Sequence, residues 1–277
     1  MKRNKNLLFV LLLVTATGTP GMCSSYDRII SLGPTVTEQV YHLGAGDKLI
    51  ANTIYCIRPA GAEKKDKIGT VTKINIEKIV HLRPDLVIAT PLTDPKQIDK
   101  LNKLGVKVIR ISPAKDFSGI CSNFLMLGKH LGKEDRTRKL IASLRREVNS
   151  IRNKLKGLPR PRVFVQIGAK PLFTANKDSF INDFIETAGG INVARDAKTG
   201  MYSREEALKQ NPDVIIIATM GIVGEEEKEI WRKYGTLNAA KTGRIHVVDA
   251  YNLCSPTPVT FVSTLREIAG LFHHGHE

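Results

Sequence analysis

The sequence predicts an α/β protein of two similar lobes, each built on a mostly parallel sheet and bridged by one long helix. Three observations predict it. Short β-branched apolar runs alternate with amphipathic stretches along the chain, the order of a parallel sheet with helical crossovers. The same landmarks recur: Glu77 and Pro84-Asp85 return 128 positions later as Glu205 and Pro212-Asp213. Between the two sets, Glu134 to Lys156 contains no Pro or Gly and places Leu140, Leu144, Val148, Ile151 and Leu155 at spacings of three and four.

The first strand is Arg28 to Leu32, closed by Gly33-Pro34, and Thr35 to Leu43 follows with helical spacing and Thr35 or Thr37 as candidate N-caps. Ile76 to Leu82 and Pro95 to Leu104 are amphipathic stretches that lead into the buried-type strands Asp85 to Ala89 and Val106 to Ile111. Their β-branched content favours strands over short helices. Arg162 to Ile167, Val214 to Ala218 and Ile245 to Val248 repeat the style. Arg28-Ile29-Ile30 corresponds to Arg162-Val163-Phe164, and Gly105-Val106-Lys107-Val108 to Gly243-Arg244-Ile245-His246, in unchanged order. Landmarks matched in order argue for a duplicated lobe rather than one long sheet. The intervening helix stops at Gly157, with Pro159 and Pro161 beyond it, and its outer face is strongly basic. At 1.5 Å per residue it spans about 35 Å, enough to bridge two lobes. The chain thus divides into an N-terminal lobe over 28–131, a linking helix over 134–157 and a C-terminal lobe over 161–273.

The chain has 277 residues and a formal net charge of +15, from 42 Lys plus Arg against 27 Asp plus Glu. Its 42% hydrophobic and 25% charged composition excludes a disordered or multispan-membrane chain. Lys2, Arg3 and Lys5 precede the apolar run Leu7 to Val14 and the small, turn-forming Thr15 to Gly21. That is the pattern of a secretory signal over 1–23, far short of the roughly 20 apolar residues that span a bilayer. Cleavage fits after Gly18 or near Cys23. A lipid anchor at Cys23 is the weaker alternative to a free periplasmic protein, because Pro20-Gly21-Met22 departs from the Leu-small-small pattern that precedes lipidated cysteines. Export argues against nucleic acid as a partner, and a charge of +12 remains once the three signal cations are removed. Cys56, Cys121 and Cys254 lie far apart with no Cys-x-x-Cys spacing, so they form neither a zinc site nor a readable disulfide framework. His273, His274 and His276 close the chain as a metal-capable cluster or a frayed tail.

Ile29-Ile30-Ser31-Leu32-Gly33-Pro34, Asn75-Ile76-Glu77-Lys78-Ile79, Leu82-Arg83-Pro84-Asp85-Leu86-Val87, Arg162-Val163-Phe164-Val165-Gln166, Ser203-Arg204-Glu205 and Gly243-Arg244-Ile245 follow one another in a familiar order. On these segments the chain resembles the periplasmic binding proteins of ABC importers for iron complexes and cobalamin, from about Arg28 to Phe272. The cobalamin-binding members are the most similar, especially across Phe164 to Thr174 and Ser203 to Leu208. The resemblance implies two Rossmann-like lobes joined by one long rigid helix, a ligand cleft between them, and a monomer with no cofactor of its own. It implies that Glu77 and Glu205 dock on the two halves of an ABC permease at the inner membrane. The alternative for each Glu is an ordinary first-turn residue. Val71 and Thr199 stand where cobalamin-binding relatives carry Trp, and Trp231 is the one Trp in this chain. The expected ligand is therefore a metal chelate of the corrinoid, ferric siderophore or haem class.

Open parallel sheets bind ligands beyond the carboxyl ends of their strands. Those ends are Gly33 to Thr37 (with Pro34 and Thr35), Ala89 to Leu92, Gly168 to Phe173, Thr219 to Gly221 and Ala250 to Ser255 (with Asn252). The loop Tyr55 to Pro59 and the segment Gly69 to Lys73, which holds Val71, are expected to face the same gap. Tyr55, Phe173, Tyr202 and Tyr251 suit a large, flat, partly apolar chelate, with core packing as the competing role for each. Cys56 is a candidate soft ligand to a metal centre, or else a buried inert thiol. Arg58 and Lys73 are candidates to pair with ligand carboxylates or phosphates, or else are solvated. No Gly-x-Ser-x-Gly elbow, His-Glu-x-x-His, phosphate loop or dinucleotide fingerprint occurs. An importer's capture subunit is the expected function, ahead of a free-standing scavenger without a permease or an exported α/β enzyme.

Overall fold

The computed structural model describes residues 26–218 and 224–273. The expected signal with Cys23, the end 219–221 of one cleft loop, and His274 and His276 lie outside the described residues.

The first sheet contains β1 (Ile29–Ser31), β2 (Leu49–Asn52), β3 (Asp66–Lys67), β4 (Leu86–Ala89) and β5 (Val108–Arg110), all parallel, in the order β3-β2-β1-β4-β5. Its crossovers are α1 (Pro34–His42), α2 (Ala60–Glu63), α3 (Ile76–His81) and α4 (Pro95–Lys103), and α5 (Phe117–His130) follows the last strand. After α6 (Glu134–Lys154) comes β6 (Arg162–Gln166), then the antiparallel hairpin of β7 (Gly168–Ala169) and β8 (Leu172–Phe173). Next are α7 (Phe180–Thr187), β9 (Ile191–Asn192), α8 (Arg204–Gln210) and β10 (Val214–Ile217). The chain ends through α9 (Gly224–Arg232), α10 (Asn238–Lys241), β11 (Ile245–Val247), α11 (Ala250–Cys254) and α12 (Pro258–His273). The second sheet is parallel throughout, in the order β11-β10-β6-β9. This is a two-lobed α/β fold. β4 and β10 are buried at every residue, as expected for strands covered on both faces.

The recurring landmarks have a structural cause. Asp85 Oδ2 accepts the backbone N–H of Arg28 at 3.0 Å, and Asp213 Oδ2 accepts that of Arg162 at 2.9 Å. Each carboxylate therefore pins the start of the first strand of its lobe to the start of a neighbour in the sheet, β4 or β10. Each Arg in turn donates to carbonyls at the end of the helix before that Asp: Arg28 to Leu82 (2.6 Å) and Arg83 (3.2 Å), Arg162 to Gln210 (2.9 Å). Those helices end alike, at Arg83 (φ 46°) and Asn211 (φ 42°) in the left-handed region. A proline follows each and prevents the helix from continuing.

The lobes share one core. Ile29, Leu86 and Ile88 of the first sheet and Val163, Val214 and Ile216 of the second belong to a single buried cluster, with α5, α6 and α12 between them. Phe261 of α12 stacks on Phe184 of α7 at 3.9 Å and 15° and packs on Phe117 of α5 at 4.7 Å. The Phe117 N–H donates to Asp183 Oδ2 at 2.7 Å across the same boundary. The outer faces of the two sheets have separate cores, one under α3 and α4, the other around Phe164 and Trp231.

Two local expectations are corrected, the side-chain cap of α1 and the frayed C-terminal tail, and the one Trp is placed. Helix α1 begins at Pro34 after Gly33, with no side-chain cap; Thr37 donates back to the Gly33 carbonyl (3.0 Å), and Thr35 reaches across to the Ser255 carbonyl (3.2 Å). Trp231 is fully buried, its indole N–H donating to Gln166 Oε1 at 2.6 Å. His273 is no frayed end: it is buried in the last turn of α12, with Nε2 2.9 Å from the Ala188 carbonyl.

Candidate functional site

Large apolar side chains are exposed at the carboxyl ends of both sheets. After β2 these are Ile54, Tyr55 and Ile57; after β4, Leu92; in the second lobe, Phe173 of β8, Met201 and Val247 at the end of β11. Tyr55 is 54%, Leu92 69% and Met201 61% exposed, and away from these strand ends Leu104 and Ile191 are the other exposed large apolar side chains among the described residues. Exposed apolar residues gathered in one region mark a binding surface rather than chance. Gly33, just beyond the carboxyl end of β1, is required by crowding: a Cβ there would stand 2.6 Å from Thr90 Cγ2.

The expected lining residues divide. Tyr55 and Phe173 are exposed, and Pro34, Thr35 and Val71 are half-buried at strand ends. Tyr202 is a partial correction: it is half-buried with its ring 5.6 Å from Phe164, so it belongs chiefly to the second lobe's outer core. Cys56 takes the second of its two expected roles, a buried thiol. The loop turns its thiol inward, where it is 0% exposed, with the Thr37 and Thr53 hydroxyls each 3.1 Å from Sγ. Among the described residues, no group of three His, Cys, Asp or Glu side chains is placed to hold a metal ion. Burial pushes the Cys121 and Cys254 thiols up to about 11, so both are neutral near pH 7.

Arg58, Tyr251 and Asn252 meet across the lobes. The Arg58 guanidinium pairs with Asp249 at 2.5 Å, donates to Asn252 Oδ1 at 2.9 Å, and lies over the Tyr251 ring with Cζ 4.6 Å from its centroid. The loop after β2 is thereby latched to α11. Glu38 of α1 is buried nearby, with Oε2 lacking a hydrogen-bond partner. Burial raises its pKa, and Arg58 only partly opposes this. For Asp249, burial acts upward but is outweighed by the hydrogen bonds from Arg58 and the Asn252 N–H, which hold the carboxyl below its usual range. A depressed carboxylate contributes stability above its unfolded pKa, and that contribution is lost as pH falls through the folded value. In thermal unfolding from pH 7 to 3, Asp249→Asn should lower Tm at pH 7, and the gap from the parent should close below about pH 4. With both side chains partly solvated, the gap corresponds to under about 1 kcal/mol. A gap that persists unchanged at pH 3 would remove the latch from the account.

Glu77 and Glu205 occupy matching first-turn positions. Asn75 caps α3, accepting the Lys78 N–H at 2.9 Å, and Ser203 caps α8 in a reciprocal capping box with Glu206. Both glutamates are exposed, and neither forms an ion pair among the described residues. Sequence reasoning missed what orients α8. Arg204, beside Glu205, turns inward to the buried Glu227, which also accepts from Gln166 Nε2 at 2.7 Å, and its guanidinium lies over the Trp231 ring. Its partners Glu227 and Trp231 lie 23 and 27 positions away in the sequence, beyond any local pattern.

A family model described as periplasmic binding protein matches residues 29–251. An ABC transporter substrate-binding lipoprotein of Bacillus subtilis, strain 168, is 30% identical over 232 residues, covering 80% of this chain and 72% of its own. A vitamin B12-binding protein of Yersinia pseudotuberculosis is 29% identical over 212 residues, covering 76% of this chain and 75% of its own. The solved periplasmic vitamin B12 binding protein of Vibrio cholerae superposes with a TM-score of 0.79 at 27% identity, covering 89% of this chain and 96% of that one. With the match spanning most of its length, the chain belongs to the periplasmic binding protein family.

Proposed function

We propose that this protein is the extracytoplasmic capture subunit of an ABC importer, binding a metal chelate between its lobes and presenting it to a permease. The observation that carries the reading is the set of exposed apolar side chains at the facing strand ends: Tyr55, Ile57 and Leu92 from one lobe, Phe173 and Met201 from the other. A flat, partly apolar ligand held between two such walls buries them from both sides. The vitamin B12-binding relatives support the chelate class. Within it, corrinoid, ferric siderophore and haem remain the classes to compare, since Val71 stands where Trp is expected for cobalamin. Pro34, Thr35 and Asn252 complete the proposed lining, with Arg58 and Tyr251 at its floor. Cys56 has no role in it. Glu77 and Glu205 engage the permease, one on each lobe. The protein acts as a monomer, exported by its N-terminal signal, and performs no chemistry on the ligand.

Calorimetric titration with cobalamin, cobinamide, haem and ferric siderophores tests the proposal. Saturable one-to-one binding to one of these classes is expected. Tyr55→Ala with Phe173→Ala should weaken it about 100-fold or more, since each buried aromatic contributes roughly 1.5 to 3 kcal/mol. Binding to none, or binding indifferent to the double substitution, refutes the assignment.

A further inference from the structure

The positive charge of this chain has a location. From Lys139 to Lys156, along α6 and just beyond its end, six cations face a single carboxylate, Glu147. That carboxylate is taken by Arg266 at 3.2 Å, and Glu134 at the head of the helix by Arg138 at 2.5 Å. Arg145 and Arg152 lie on one flank, where they share a pocket with Asp116 and Asp183. Lys139, Arg146, Lys154 and Lys156 are exposed and form no ion pair among the described residues. Thr137, Ile141, Leu144 and Val148 form the buried side of α6. Lys139, Arg146 and Asn153 recur every seven residues on the opposite side, so they share one outward face. A shallow depression runs along it, lined by Arg146, Asn149, Ser150, Asn153 and Lys154.

The face also has a direction. Helix α6 connects the end of α5 to the start of β6, so its two ends lie beside strand starts. Arg136 lies against Gly44, the turn before β2, and Leu155 against Gly189, the turn before β9. The cleft and the first turns of α3 and α8 lie at the opposite edges of the sheets.

We propose that the outward face of α6 is a docking surface for an anionic phospholipid membrane. Charge complementarity selects the partner: a row of unpaired Lys and Arg gains about five-fold in affinity per cation near an anionic bilayer. The outer line carries Ala142, Asn149, Ser150 and Asn153 between its cations and no large apolar side chain, so the contact is adsorption at the headgroups without insertion. A protein held this way keeps its cleft turned away from the membrane, open for capture. Docking through Glu77 and Glu205 then requires release and rotation.

The test is sedimentation of the full chain with phosphatidylglycerol–phosphatidylcholine vesicles and with pure phosphatidylcholine vesicles. Binding is expected to the anionic vesicles alone and to fall steeply as salt is raised, because exposed charges are screened beyond about 10 Å at 0.1 M. Lys139→Gln, Arg146→Gln and Lys154→Gln together should weaken it about 100-fold, by the same five-fold per cation. Lys96→Gln, Lys100→Gln and Lys103→Gln on α4 remove the same charge from another exposed face and should change it at most a few-fold. All six positions are exposed, so both variants are expected to fold, which circular dichroism checks. Equal losses in the two variants, or no binding to anionic vesicles at low salt, overturns the proposal.

Discussion

Reversing both docking charges, Glu77→Lys with Glu205→Lys, is expected to abolish chelate delivery while leaving chelate affinity unchanged. Each glutamate is an exposed first-turn residue whose contribution to folding is limited to its interaction with the helix dipole, about 0.3 to 1 kcal/mol. Neither is among the exposed apolar residues at the strand ends, so the cleft is undisturbed. In the proposed docking on the permease the same two groups carry a much larger effect. Truncating one partner of a desolvated charge pair costs about 2 to 5 kcal/mol, and reversal adds repulsion. Two sites together amount to at least a thousand-fold loss of association. Either single reversal should leave partial activity, since one lobe still engages. Unchanged uptake in the double variant would reduce both glutamates to ordinary first-turn residues.

The largest expected loss of stability comes from Phe261→Ala. The ring is fully buried, stacked on Phe184 and packed on Phe117, and so contacts side chains of both lobes from the helix between them. Removing it forfeits aromatic burial and leaves a cavity that three helices cannot easily close, a loss of about 3 to 5 kcal/mol. Urea unfolding should show it as a lower midpoint. If the shared core holds the lobes together, the variant should also show faster amide exchange along α12 and α5 than along β10, since local opening precedes global unfolding. A loss below about 1 kcal/mol contradicts a core continuous between the lobes.

Much of this architecture was legible in the sequence, for identifiable reasons. β4 and β10 read as strands because a strand covered on both faces must be apolar at every position. The repeat was legible because Arg28 with Asp85 and Arg162 with Asp213 solve the same problem, joining a strand start to a helix end. Glu77 and Glu205 were legible because they recur at the same 128-residue offset as Pro84 and Pro212. The strands β3, β7, β8 and β9 escaped because two residues carry no period, and β2 because its short run ends in a polar Asn. The direction of Cys56 depended on Thr37, nineteen positions away, and the latch on Arg58 meeting Asp249 from the other lobe. Such contacts are fixed by how elements pack, which no window of neighbouring residues encodes.

The central claim is that the protein captures a chelate and hands it to a permease, and the direct measurement is transfer. Protein loaded with the chelate that titration identifies is added to proteoliposomes containing the cognate permease and ATPase, and accumulation inside is followed with and without ATP. Accumulation should require the loaded protein and ATP, and should vanish with Glu77→Lys and Glu205→Lys. Equal accumulation when free chelate replaces the loaded protein, or chelate that stays on the protein throughout, would contradict it.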